Sequence, residues 1–275
     1  MAGKPGANVP KTSKRGKSST PTGGIDWMVV AAVVVVVALI GGLAWYLVPR
    51  FLDKRAEEEA AKIAPETVQE FVPTPQNPDP ASGIPGIVKK YYPAATHTEK
   101  RVAYDQSPPF GGPHDAIWAT CTGIVYPNPI RSENAVHALE HGAVWITYNP
   151  DTISSGDLDY LKNLVRGEQY LFMSPYPGLS SPLSLQSWGH QLKLESAHDP
   201  RVNQFITALR RNAMTNVYPE NPEQASYPEV QATCGPIPGF DPSNPPPADQ
   251  GPPGPDAFPM NGKPASEVTA PMPTG

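Results

Sequence analysis

Cysteine, histidine and charge are all scarce in this 275-residue chain, which has two Cys, six His and only 17% charged residues. No Cys-x-x-Cys occurs, which excludes a dithiol redox motif. A Gly-x-Ser-x-Gly elbow and a Gly-rich phosphate loop are also missing, so the best-marked hydrolase and nucleotide-binding signatures are absent. There is no basic stripe with interleaved aromatics. From Ala56 onward, 13 Lys and Arg stand against 24 Asp and Glu. Phosphate contacts need clustered cations, so nucleic acid is excluded as a partner. No internal repeat is visible.

One long apolar run is present. Met28 to Val48 is 21 consecutive positions without a charge, and roughly 20 span a bilayer. Trp27, Trp45 and Tyr46 sit near its ends, where aromatic rings favour the headgroup level. A cleaved signal peptide would carry an apolar region of only about 7–15 residues ending in a small-residue cleavage site. This run is longer and ends in Val48-Pro49-Arg50-Phe51, so it predicts an uncleaved anchor in the lipid bilayer. The basic segment before it, Lys4 to Lys17, holds five Lys and Arg and the stalk after it holds four. That imbalance favours a cytoplasmic N-terminus and an extracytoplasmic domain at the cell membrane.

The chain divides by composition. Residues 1–24 read as a disordered basic tail, 25–49 as a transmembrane helix, and 50–83 as a helical stalk followed by a Pro-rich spacer. Residues 84–235 form one domain. Residues 236–275 follow as a disordered Pro-rich tail, with 13 prolines among Gly235 to Gly275. Within the domain, 142–148, 169–176 and 184–194 read as strands. Ser154 with Asp157 caps a helix near 156–166, and Asp199-Pro200 starts another that runs to about 212. The expected fold class is α+β: a single compact domain with a small mixed β-sheet and two helices, preceded by one transmembrane helix.

The two cysteines, Cys121 and Cys234, bracket most of that domain. Outside the cytoplasm they are expected to form a disulfide, with thiolate metal ligation or free thiols as the competing readings. The densest polar constellation is His137-Ala-Leu-Glu140-His141. Two histidines four apart share one helix face and can share a metal. An extended segment would also bring them to one side, but Glu140 would then point away. The pattern is also, literally, the His-x-x-Glu-His of inverted zincins, although the helix available before Gly142 is short. His114, in the turn Gly111-Gly112-Pro113-His114, is a third imidazole, and Met173 a thioether that would suit copper better than zinc. Glu140 is read as a residue that orients a ligand. His190 and His198 are read as solvent-facing.

Several of these segments resemble a known family. Gly112-Pro113-His114, Trp118 with Cys121 and Gly123-Ile-Val-Tyr126, and Val136-His-Ala-Leu-Glu-His-Gly-Ala-Val-Trp145 are similar to a bacterial, largely actinobacterial family of membrane-anchored proteins, domain of unknown function 3105. Ser174-Pro-Tyr-Pro-Gly-Leu179, Ser187-Trp-Gly189 and Leu192 fit the same pattern, so the resemblance covers about residues 86–234. The chain departs from it at Cys121-Thr122-Gly123, where the family has Gly directly after Cys. The resemblance implies the domain bounds, an extracytoplasmic placement, and His114, Cys121, His137, Glu140 and His141 as motif residues. It implies no reaction.

Three functions follow as expectations. The first is a non-catalytic, membrane-anchored protein binding copper or zinc through His137 and His141, with His114 and Met173 as further ligands. The second is a metal-free accessory subunit of a larger membrane complex, for example a respiratory one. The third is a zinc hydrolase with Glu140 as its base.

Overall fold

The computed structural model describes residues 27–63, 67–93 and 96–262. The basic tail, residues 1–24, lies outside them. The chain divides into two units, Met1–Phe51 and Leu52–Gly275. Helix α1 runs unbroken from Trp27 to Ile63. Its first 22 residues, Trp27–Val48, are long and apolar enough to cross a membrane, and none of that stretch is buried. The charged residues Asp53 to Lys62 continue as helix, as their high helix propensity dictates.

The second unit is an α+β domain on a six-stranded mixed sheet. Its strands are β1 (Val88–Lys89), β3 (Thr122–Val125), β4 (Val144–Tyr148), β5 (Leu171–Pro175), β6 (Leu183–Ser187) and β7 (His190–Leu194), and a separate pair joins β2 (Val102–Ala103) to β8 (Phe258–Pro259). The order in the sheet is β1-β7-β6-β4-β5-β3. Strands β3, β5 and β4 run parallel, whereas β4-β6, β6-β7 and β7-β1 are antiparallel.

Both faces of the sheet are buried, and strand alternation assigns each side chain to one of them. Val144, Ile146, Leu171, Met173 and Leu185 point to one core. That core is covered by α3 (Ser155–Val165) and α4 (Arg201–Leu209). Trp145 and Phe172, the neighbours in register on β4 and β5, point to the other and stack with their ring planes 2° apart. This second core is covered by α2 (Ser132–Glu140), through Ala135 and Leu139. Ser154 caps α3 as its spacing predicts, accepting from Asp157 N at 3.0 Å. Asp199 holds the start of α4, accepting from Arg201 N at 2.9 Å.

Four sequence expectations change here. The predicted strand 184–194 is a hairpin, with Trp188 and Gly189 turning between β6 and β7. Gly189 takes φ 69°, and a Cβ there would stand 2.2 Å from Tyr218 Oη, so only glycine fits this turn. The open choice at 137–141 resolves as helix, which adds α2 to the two helices expected. Within the Pro-rich spacer, Phe71 and Ala81 are buried in the first core.

The fourth change concerns the Pro-rich tail. Residues 236–262 lie along the domain: Phe240 is buried, β8 pairs with β2, and Arg101 donates to the carbonyls of Gln250, Gly251 and Pro252. Proline removes the N–H but keeps the carbonyl, so a prolyl segment is held by donors supplied from elsewhere. The remainder of the tail lies outside the described residues.

Candidate metal centre

Helix α2 places His137 and His141 one turn apart on the same side, with ring centroids 4.6 Å apart. Two other segments bring further groups to that face. The Gly112-Pro113-His114 turn is kept in position by Gly112 at φ 99°, where a Cβ would meet the Met260 side chain at 2.6 Å. Beside it runs Thr96-His97-Thr98, bonded through Thr98 N to His114 O at 2.7 Å and His114 N to Thr96 O at 3.3 Å. His97 thereby stacks on His137 at 4.9 Å and lies 5.0 Å from His114, while His114 is 4.7 Å from His137.

The result is a quartet of His97, His114, His137 and Glu140, in which one ligand atom of each lies within 4.8 Å of every other. Ligand nitrogens around a tetrahedral zinc stand about 3.4 Å apart, given Zn–N distances near 2.0–2.1 Å. His114, His137 and Glu140 are buried, and the His97 side chain is 45% exposed. A second trio, His137, His141 and Glu229, meets the same distance limit and shares His137.

Backbone carbonyls determine which nitrogen each ring presents. His114 Nδ1 donates to Gly112 O at 2.9 Å, His137 Nδ1 to Asp115 O at 2.6 Å, and His141 Nδ1 to Thr233 O at 2.7 Å. A carbonyl oxygen only accepts, so in each neutral ring the proton sits on Nδ1 and Nε2 carries a bare lone pair. This is the arrangement in which protein groups orient metal-binding imidazoles. His114 Nε2 then faces Glu140 Oε2 at 2.7 Å, yet forms no hydrogen bond among the described residues. His141 Nε2 faces Glu229 Oε2 at 3.0 Å. Two lone pairs so close repel unless a cation, proton or metal, lies between them.

Burial acts in the same direction. The His137 imidazole is pushed down to about 3, first by burial and then by its neighbours His114 and His141. Burial also lowers His141. Both rings are therefore neutral near pH 7, the form that binds metals. The Trp118 ring packs against His141 and His137, 4.8 and 5.5 Å away, with its Nε1 donating to Gly235 O.

Met173 does not join the cluster. It is buried in the opposite core, because it follows Phe172 on β5 and successive strand residues face opposite ways. Glu140, expected to orient a ligand, is itself among the converging groups. His190, read as solvent-facing, is fully buried between Trp188 and Asp79. The sequence reading missed His97 and Glu229. Only the β-prone Thr-His-Thr triplet hinted at the first, and nothing local marked the second.

Cys121 and Cys234 form a disulfide with Cα atoms 4.9 Å apart. The backbone continues the link: Cys121 N donates to Cys234 O at 3.0 Å, and Glu229 N to Glu140 O at 3.0 Å. The segment 229–235 is thus fastened against α2, and it carries both Glu229 and the carbonyl that orients His141. One cavity of about 430 Å³ opens near the start of α2, lined by Tyr104, Glu133 and Tyr176 among others and by no member of the cluster.

These observations define an α+β domain with a largely buried His/Glu group that could hold a metal ion; among the described residues, one apolar helix is long enough to span a bilayer. Residues 96–229 match a family described as protein of unknown function (DUF3105). No curated protein and no solved structure matches the chain.

Proposed function

We propose that this chain is a membrane-anchored, extracytoplasmic protein whose domain holds a divalent transition-metal ion without catalysing a reaction on it. The ion is bound by His97, His114, His137 and Glu140. The observation that carries this reading is the convergence of three imidazoles on a buried carboxylate, with the two buried rings each held through Nδ1 by a backbone carbonyl. Three imidazoles and a carboxylate form a borderline-to-hard donor set. With Met173 in the opposite core, the soft donors that favour copper(I) are missing from it, and zinc is the better fit.

The anchor helix supports the membrane placement, and the Cys121–Cys234 disulfide supports an oxidising compartment for the domain. The non-catalytic reading is supported by Glu140. A hydrolytic base has to reach a metal-bound water, whereas this carboxylate is buried against His114.

The test is elemental analysis of the full-length protein, extracted in detergent and purified without a His tag. About one equivalent of zinc, lost in a His114→Ala/His137→Ala variant that retains its circular dichroism, supports the reading. No bound metal after reconstitution with zinc or copper overturns it and leaves the accessory-subunit alternative.

A further inference from the structure

We infer that His141 and Glu229 form a second, outer metal position through which an ion is passed to the quartet by way of His137. This rests on the metal-holding function proposed above and adds to it a route for loading.

The geometry behind it has three parts. His137 belongs to both groups, and each group lies within 4.8 Å. Its Nδ1 is committed to the Asp115 carbonyl, so its single lone pair, on Nε2, can serve only one ion at a time. The two groups are therefore alternative positions for one ion, and His137 is the ligand common to both. Access differs between their carboxylates: Glu229 is 46% exposed at its side chain, Glu140 only 3%. An exposed carboxylate attracts a hydrated cation and begins to strip its water, and His141 Nε2 waits 3.0 Å behind it. The second imidazole, His137, keeps the ion bound while Glu229 is exchanged for His114 and Glu140. The step exchanges ligands only: no proton leaves the Nε2 atoms, and no oxidant or reductant is consumed.

The rival doorway is His97, whose side chain is similarly exposed, but it is an uncharged donor when neutral and lies among the inner ligands.

The experiment measures zinc loading and release on the full-length, disulfide-intact protein by stopped flow, with zinc ion alone as the probe for loading and a chromogenic chelator for release. Glu229→Gln changes a half-exposed side chain. His141→Asn keeps an N–H for the Thr233 carbonyl and removes the ligand nitrogen. A residue on the path, outside the resting site, alters both directions equally. Both variants are expected to slow loading and release by the same factor, about tenfold, with an unchanged dissociation constant. Wild-type rates in Glu229→Gln overturn the inference and favour entrance past His97. A weaker constant caused by faster release also overturns it, because Glu229 would then belong to the resting site. A wild type that takes up no zinc overturns the metal-holding reading itself, a result distinct from the other two.

Discussion

His114 Nε2 and Glu140 Oε2 lie 2.7 Å apart in the interior while the other nitrogen of the same ring faces the Gly112 carbonyl. One neutral imidazole cannot satisfy two acceptors with one proton. The metal-holding proposal follows from that mismatch and from its repetition at His141, between Thr233 O and Glu229.

Replacing the carboxylate tests the mismatch directly. In Glu140→Gln, the amide N–H can donate to His114 Nε2, which satisfies in the metal-free protein a pair that otherwise needs a cation. The variant is expected to lose bound metal and yet be as stable as the metal-free wild type or more so, by about 1 kcal/mol. Metal content and a thermal melt in the presence of a chelator check both halves. A large loss of apo stability would mean that Glu140 is held by interactions other than the proposed cation.

Met173 is a packing residue, so Met173→Leu should leave metal content unchanged. The exchange nearly conserves volume in a core formed with Val144, Ile146 and Leu185, and is expected to cost less than about 1.5 kcal/mol. Elemental analysis beside a denaturant titration decides it. Loss of metal without loss of stability would return Met173 to the ligand set.

Acid should destabilise the domain through His190. Burial pushes this imidazole down to about 4, against the stabilising effect of Asp79, with Lys89 opposing protonation. Asp79 Oδ1 stands 3.9 Å from Nε2, Lys89 Nζ pairs with the same carboxylate, and Tyr218 lies against the ring. A histidine in an unfolded chain titrates near 6.5. As pH falls below about 6.5 the unfolded state takes up the proton first, so stability declines until the folded protein also titrates near 4, and this contribution then levels off. His190→Asn should flatten the slope in that window, as read from urea midpoints between the two values. An unchanged slope would assign the acid sensitivity to other groups.

The disulfide closes a loop with a sequence separation of 113 residues. By the chain-entropy relation, Cys121→Ser with Cys234→Ser should cost about 4–5 kcal/mol. Because Thr233 and Glu229 lie on the segment it fastens, reduction should also disturb the outer position more than the quartet. In a reduced protein that remains folded, slower zinc loading with one equivalent still bound is the expected sign. Loss of the bound ion itself would show that the quartet, too, depends on this tether.

Whatever depends on neighbours along the chain was legible before the fold. The apolar run from Met28 to Val48 needs no partner to declare its length, and the Ser154 cap and the Asp199 contact to Arg201 N act within their own turns. The spacing of His137 and His141 put both rings on one side whether the segment was helix or strand. The two cysteines, alone in the chain, were expected to pair outside the cytoplasm.

Tertiary structure decided the rest, because it depends on segments distant in sequence. His97 reaches His137 only because Thr98 bonds back to His114. Glu229 reaches His141 because the disulfide brings the end of the domain onto α2. Met173 left the candidate ligands through the parity of one strand in a sheet buried on both faces. Which nitrogen each ring offers was set by backbone carbonyls at Gly112, Asp115 and Thr233, whose directions no residue type encodes. Residue identity and short spacing specify which donors exist, but only long-range chain pairing brings their lone pairs to one point.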